Sequence, residues 1–156
     1  MKYCLIYVIV LSIVIFLIGR IYPRKWIKEN AFPFTSFKFE KNGKVYEKIK
    51  IKKWKTVFPD FSYLITKILP NFMPRKRIDK DPKTKIPVLI KESCVAESTH
   101  FIAIILGAYC IKIYPKLGGI ITYIVYVLLN VPPILIQRYN RPRLKTALNI
   151  YNKEKV

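Results

Sequence analysis

The chain has 156 residues, the length of one domain; 52% are hydrophobic, yet 29 Lys and Arg stand against 9 Asp and Glu, a formal charge of +20. An ordinary soluble domain does not combine these properties, which become compatible when the apolar residues enter lipid in blocks and the basic ones cover an anionic surface. Nucleic acid is the competing partner for such a charge, but the cationic stretches "KIKIKKWK" and "MPRKRIDK" interleave Ile, Trp and Met as a membrane-surface segment does, and no nucleic-acid-binding motif is present.

The first block, Tyr3 to Gly19 ("YCLIYVIVLSIVIFLIG"), is uncharged and long enough for a slightly short transmembrane helix, given the ~20 residues a bilayer requires. Its N-terminal flank holds only Lys2 and its exit reads "IGRIYPRKW" without a small-residue cleavage site, so an uncleaved signal anchor over 1–22 is expected. Arg20, Arg24, Lys25 and Lys28 follow it, with Tyr22 and Trp26 where an aromatic belt would lie.

Residues 23–91 form a basic segment. Within it, 34–58 alternates apolar and charged residues at Phe37, Phe39, Ile49 and Ile51 around Asn42-Gly43, which fits a short β-hairpin, while an amphipathic helix over Val45 to Trp54 fits the same residues. Phe58 to Met73 spaces Phe61, Leu64, Ile65, Ile68 and Leu69 as an interfacial helix ended by Pro70, followed by a charged polar loop.

Residues 92–145 are expected to form a transmembrane helical hairpin, with spans at Phe101 to Tyr114 and Leu117 to Ile136 joined by "PKLGG". The first span's 14 apolar residues cover only ~21 Å, so it is thinned, re-entrant or extended by a polar N-terminal turn. Pro132-Pro133 predicts a kink near Asn130, and 146–156 reads as a tail. Basic residues after the first and last spans (Arg138, Arg141, Arg143 and Lys145 after the latter) make both flanks cytoplasmic. The N-terminus and the "PKLGG" turn then lie outside. The fold class is thus mainly α: a small multi-pass cell-membrane protein in a single domain.

Cys4, Cys94 and Cys110 offer neither a disulfide framework nor metal-ligand spacing and read as small buried hydrophobes; no metal is expected. Chemistry concentrates at the membrane edge. On a helix through Glu92, Glu97 and His100, the latter two lie ~60° apart, close enough to touch; a carboxylate that fixes one imidazole tautomer makes His100, the only histidine, a general base for a hydroxyl. The alternative is a histidine anchoring the helix at headgroup depth, with Glu97 as a first-turn acid. Further on, "NVPPILIQRYNRPR" sets Asn130, Gln137 and Asn140 beside Arg138, Arg141 and Arg143, whose guanidiniums either grip phosphate or carboxylate or serve as topology anchors on anionic lipid.

Three stretches, "SFKFEKNGKVYEKIKIKKWK", "ESCVAESTHF" and "NVPPILIQRYNRPRL", closely resemble the glycosyl-4,4'-diaponeurosporenoate acyltransferase family of staphyloxanthin-type carotenoid biosynthesis. The matching positions are Phe39, Glu40, Gly43, Lys53, Trp54 and Lys55; then Glu92, Ala96, Glu97 and His100; then Asn130, Pro132, Gln137 to Arg143, and Leu144. Glu47 departs from the family's amide-type residue, and the 60–91 region hardly aligns.

The resemblance implies transfer of a fatty acyl group to a sugar hydroxyl of a membrane glycolipid. His100 and Glu97 would be catalytic, and Arg138, Asn140, Arg141, Arg143, Asn130, Gln137, Glu92, Trp54 and Lys55 would bind substrate. The basic segment 44–55 would collect the acyl thioester donor, acyl-CoA or acyl carrier protein, as co-substrate, without a further cofactor. A noncatalytic lipid-binding scaffold is the competing function.

Overall fold

The computed structural model describes residues 2–56 and 82–153, so the interfacial helix expected at 58–73 lies outside the described residues. Helix α1 spans Lys2–Ile21. A 3-10 turn at Arg24–Trp26 and another at Lys38–Gly43 lead to two single-turn helices, α2 (Val45–Lys48) and α3 (Ile51–Trp54). Helix α4 (Pro82–Gly107) is followed by a short α5 (Cys110–Ile113) and by α6 (Leu117–Lys153).

Three of these units, Lys2–Ile21, Pro82–Ile113 and Leu117–Lys153, are long and apolar enough to cross a membrane. Their composition explains their packing. Tyr3, Ile6, Ile9, Val10, Ile13, Leu17 and Ile18 of α1 are all exposed on its outer face, the arrangement of a helix whose solvent on that side is hydrocarbon. The inner face contributes Cys4, Val8 and Ile15 to a cluster with Ala103, Cys110 and Tyr126. Helix α1 runs antiparallel to α4: Tyr7 Oη–H donates to the Leu106 carbonyl at 2.9 Å near one end, and Gly19 abuts Thr99 and Val95 near the other. All three cysteines are free and buried, as small hydrophobes are.

The span expected at 101–114 is much longer than its apolar run. Among the described residues the helix runs from Pro82 through Pro87 and the polar stretch before Phe101, the extension by an N-terminal polar segment that is one of the three options. Helix α6 likewise exceeds expectation. At Pro132-Pro133, where a kink is expected, each proline removes only the bond to its own i−4 carbonyl, and the 37-residue helix continues past them, through Pro142 and into the supposed tail. At 1.5 Å per residue it is ~55 Å long, against ~30 Å of hydrocarbon. Close to half of it, ~25 Å, therefore exceeds what hydrocarbon alone would cover, and this C-terminal part holds Arg138, Arg141, Arg143 and Lys145.

The β-hairpin expected within 34–58 is absent among the described residues. Lys41 and Asn42 take left-handed backbone angles (φ 47° and 54°) and Gly43 a φ of 87°, which close a 3-10 turn instead of pairing strands. The alternative helix at 45–54 forms as two turns, interrupted at the left-handed Lys50. Tyr46 and Ile51 from these turns pack on Tyr139 of α6, with Trp54, Leu135 and Ile136 around them. That contact decides the local structure.

The turn joining α5 to α6 tolerates only glycine at its tightest point. A Cβ on Gly119 would lie 2.1 Å from the Tyr114 carbonyl oxygen, a backbone atom that cannot rotate away. Gly119→Ala is expected to cost about 1–3 kcal/mol, read as a lower midpoint of thermal unfolding in detergent micelles. An unchanged midpoint would show that the turn yields freely.

Candidate active site

Helices α4 and α6 pack antiparallel, and each presents two polar residues toward the other at one-turn spacing: Ser93 and Glu97 on α4, Arg138 and Arg141 on α6. The Glu97 carboxylate divides its oxygens between the two guanidiniums, Oε1 to Arg138 Nη1 and Oε2 to Arg141 Nη2, both at 2.5 Å. A second carboxylate, Glu40 from the 3-10 turn, accepts Arg138 Nε–H at 2.5 Å and Nη2–H at 2.9 Å.

Arg138 also donates from Nη1 to the Pro33 carbonyl at 3.0 Å and from Nη2 to the Thr35 carbonyl at 3.3 Å, and its guanidinium lies 4.5 Å above the Phe37 ring. All its N–H donors are thereby used. Arg141, 2% exposed, donates from Nε to Ser93 Oγ at 2.8 Å, from Nη2 to the Ser93 carbonyl at 3.1 Å, and from Nη1 to the Phe34 carbonyl at 2.9 Å. Two buried cations thus face two buried anions. Among the described residues no buried side-chain nitrogen or oxygen lacks a partner.

The backbone is shaped for this contact. Gly43 sits against α6 where a Cβ would come 3.3 Å from the Tyr139 carbonyl and 3.8 Å from that of Arg138. Pro142 has no N–H to offer the Arg138 carbonyl four residues earlier, so this carbonyl carries no helical partner where the turn approaches. Glu40 Oε2 accepts the Phe37 N–H at 2.7 Å, and Oε1 accepts the Tyr46 hydroxyl. Burial alone would raise the Glu40 carboxyl, but the bonds from Arg138, Tyr46 and Phe37 outweigh it and hold the group below its ordinary value. Burial and the bond to Glu40 push the Tyr46 hydroxyl up to about 12.

His100 does not take the partner expected for it. Both oxygens of Glu97 are held by full positive charges, which outcompete a neutral imidazole, and the His100 ring meets Asn130 instead, Nδ1 to Oδ1 at 2.9 Å. The Asn130 amide is itself oriented, because Nδ2–H donates to the Tyr126 carbonyl at 2.8 Å. With Nδ2 donating, Oδ1 is the acceptor, which favours the ring tautomer that carries its proton on Nδ1.

The remaining residues singled out in the sequence separate into three places. Glu92 pairs with Arg24 at 3.0 Å and ties the exit of α1 to α4. Arg143 turns away from the buried pairs: it lies over the Tyr139 ring, 3.9 Å from the centroid, and bonds the Tyr139 hydroxyl and Glu47 Oε1. Lys55 approaches the same ring at 5.1 Å and Asn140 Oδ1 at 3.5 Å, while Trp54 Nε1–H donates to the Ile49 carbonyl at 3.0 Å. Gln137 is half-buried on α6. Of the three arginines expected to grip an anion, Arg138 and Arg141 are spent on carboxylates and only Arg143 faces outward. Glu40 and Ser93 are the members not assigned from spacing; Glu40 lay in a stretch whose alternation pointed to a strand, and only its match to the family pattern marked it.

Apolar helices closing on a buried set of arginine–carboxylate pairs, with an oriented histidine beside it, define a small helical protein of membrane type. A model of the glycosyl-4,4'-diaponeurosporenoate acyltransferase family matches residues 23–150, and the chain belongs to that family. Curated relatives of the same description from Staphylococcus aureus are similar along almost the whole length. The protein of strain Newman is 31% identical over 153 residues (97% of this chain, 90% of the relative), and that of strain bovine RF122 / ET3-1 is 31% identical over 152 (97% and 89%). No solved structure matches. The chain is an acyltransferase.

Arg141→Met would leave buried carboxylate charge undercompensated and is expected to destabilise the fold by about 3–5 kcal/mol in denaturant titrations. Acid should act on the same contact. The folded state holds Glu40 below the ordinary 4.5, so its contribution is complete above about that pH and is lost as pH falls through the lower folded value. Stability measured against pH should drop in that window, and Glu40→Gln should remove that part of the slope.

Proposed function

We propose that the protein moves a fatty acyl group from a thioester to a sugar hydroxyl of a membrane-held glycolipid, with His100 as the general base. The observation that carries this is the chain of bonds from the Tyr126 carbonyl through Asn130 to His100, which favours Nε2 as the basic nitrogen. Nε2 takes the hydroxyl proton as the sugar oxygen attacks the thioester carbonyl carbon; the carbon–sulfur bond breaks, and the departing thiolate recovers the proton from the imidazolium. No nucleophilic serine is needed.

Depth supports lipid as the source of the acceptor. Asn130 is 13 residues into α6, ~20 Å from Leu117, whereas Arg138 is 21 residues in, ~32 Å, the thickness of the hydrocarbon. The base is then a turn or two inside the apolar zone, where water is scarce and a substrate embedded in the bilayer is concentrated. The names of the Staphylococcus aureus relatives point to a glycosyl carotenoid acid as the acceptor class. Basic residues flanking α1 and α6 favour a cytoplasmic site with the N-terminus and the α5–α6 turn outside. Glu97 acts at one remove, holding Arg138 and Arg141 and through them the register of α4 on α6.

His100→Ala should lower turnover by roughly 10²–10⁴ with insertion and thermal unfolding unchanged. Asn130→Ala should lower it less, because the ring keeps its nitrogen and loses only its orientation. The assay is mass spectrometry of glycolipids from cells carrying each variant, read for the acyl increment. Full acylation by His100→Ala would remove the base from the mechanism.

A further inference from the structure

The acyl donor must be held somewhere, and the arginines that the sequence suggested for it are not available. Arg138 has every N–H donor engaged, and both Arg138 and Arg141 are matched in charge by Glu40 and Glu97. Among the described residues, positive charge in excess of its carboxylate partners lies one turn further along α6.

There, Arg143 Nη2 and Lys52 Nζ converge on one oxygen, Oε1 of Glu47, with the lysine at 3.2 Å. Lys55 joins them at the Tyr139 ring, which Arg143 also covers. Two cations share one carboxylate and a third stands beside Arg143 at the ring, a local surplus of two charges among the described residues. The ring is a fixed platform: Tyr139 is fully buried and is packed by Ile51, also fully buried, and by Tyr46. The Lys55 ammonium is pushed down first by burial and then by Arg143 and Lys52, the mark of like charges held together. The cluster is nonetheless open to an arriving ligand, since the side chains of Arg143 and Lys52 are 45% and 62% exposed.

Position adds a second argument. Arg143 is 26 residues into α6, ~39 Å from Leu117, and so beyond the ~30 Å of hydrocarbon, in the aqueous layer where a phosphate belongs. From Asn130, which orients the base, α6 rises ~20 Å to Arg143 and turns ~140°, so an arm joining the two passes around the helix as well as along it. That rise is the scale of an extended pantetheine arm, which carries a phosphate at one end and the thioester at the other.

We propose that Lys52, Lys55 and Arg143 form the phosphate subsite for the pantetheine arm of the acyl donor, with the thioester reaching down toward His100. This rests on the acyl-transfer function proposed above. Glu47, held low by Lys52 and Arg143, keeps the two cations ordered when no donor is bound and yields them to the phosphate on binding.

The test compares two donors of the full-length chain in detergent micelles: acyl-coenzyme A and the same acyl group on pantetheine without phosphate. In Arg143→Gln, and separately in Lys52→Gln, whose exposed side chain is no part of the core, the KM for acyl-coenzyme A should rise by about 10–100-fold. The KM for acyl-pantetheine and both kcat values should stay the same, and Lys112→Gln at the opposite end of the helices should change nothing. Equal effects on both donors, or none on either, would overturn the subsite. If the wild type transfers no acyl group at all, the proposed function fails, and the subsite is decided by calorimetric binding of coenzyme A itself. Affinity 10–100-fold lower in Arg143→Gln supports it, and equal affinity overturns it. A lipid headgroup presents the same phosphate chemistry. Weaker binding of Arg143→Gln to phosphatidylglycerol vesicles with coenzyme A binding intact would assign the cluster to the membrane and overturn the donor subsite.

Discussion

An arginine cannot be buried alone. The cost of removing a guanidinium from water, several kcal/mol after relaxation, must be offset by opposite charge and by partners for its N–H groups. Two arginines stand on the inner face of α6 at the end of the apolar zone, and the rest of the architecture answers that demand. Helix α4 supplies Glu97 to both, the 3-10 turn supplies Glu40 to Arg138, and backbone carbonyls of Pro33, Phe34, Thr35 and Ser93 take the remaining donors. These pairs join the apolar contacts of Tyr46 and Ile51 with Tyr139 in fixing how the basic segment lies on the helices.

The same constraint separates residues that stand side by side in the chain. At 100° per residue, Arg141 is 60° from Arg138 around α6, so both face α4, whereas Arg143 is ~140° away and faces the other side. One short motif therefore holds two structural cations and one free to meet solvent. Tyr139, between them in sequence, faces α2 and α3 and becomes the platform on which Arg143 and Lys55 meet. The division runs along α6 as well: His100 and Asn130 lie on the side of the buried ion pairs toward the apolar run, and the cationic cluster lies on the other.

Such an arrangement suits a substrate pair with opposite solvent preferences. A donor with a phosphate and a long arm is anchored in water, an acceptor with a long apolar body is anchored in lipid, and their reactive ends meet at the boundary.

Much of this was determined by the sequence alone. Long uncharged apolar runs favour helices under any packing, because a helix satisfies its backbone within one segment, and three helices here are long and apolar enough to cross a membrane. Basic flanks mark their ends, the Pro-Gly-rich "PKLGG" forces a turn, and the three motif stretches carry the acyltransferase family. What only the tertiary structure decided is which polar groups meet. Spacing permitted Glu97 to touch His100, but the two guanidiniums brought in by α6 bind a carboxylate far more strongly than a neutral ring, and the histidine passes to Asn130. Alternation around Asn42-Gly43 permitted a hairpin, but Tyr139 offered Tyr46 and Ile51 a surface that two helical turns cover and a two-stranded ribbon would not. Local pattern fixes a segment's options at a few tenths of a kcal/mol; contacts across 40 to 100 residues, worth several, choose among them.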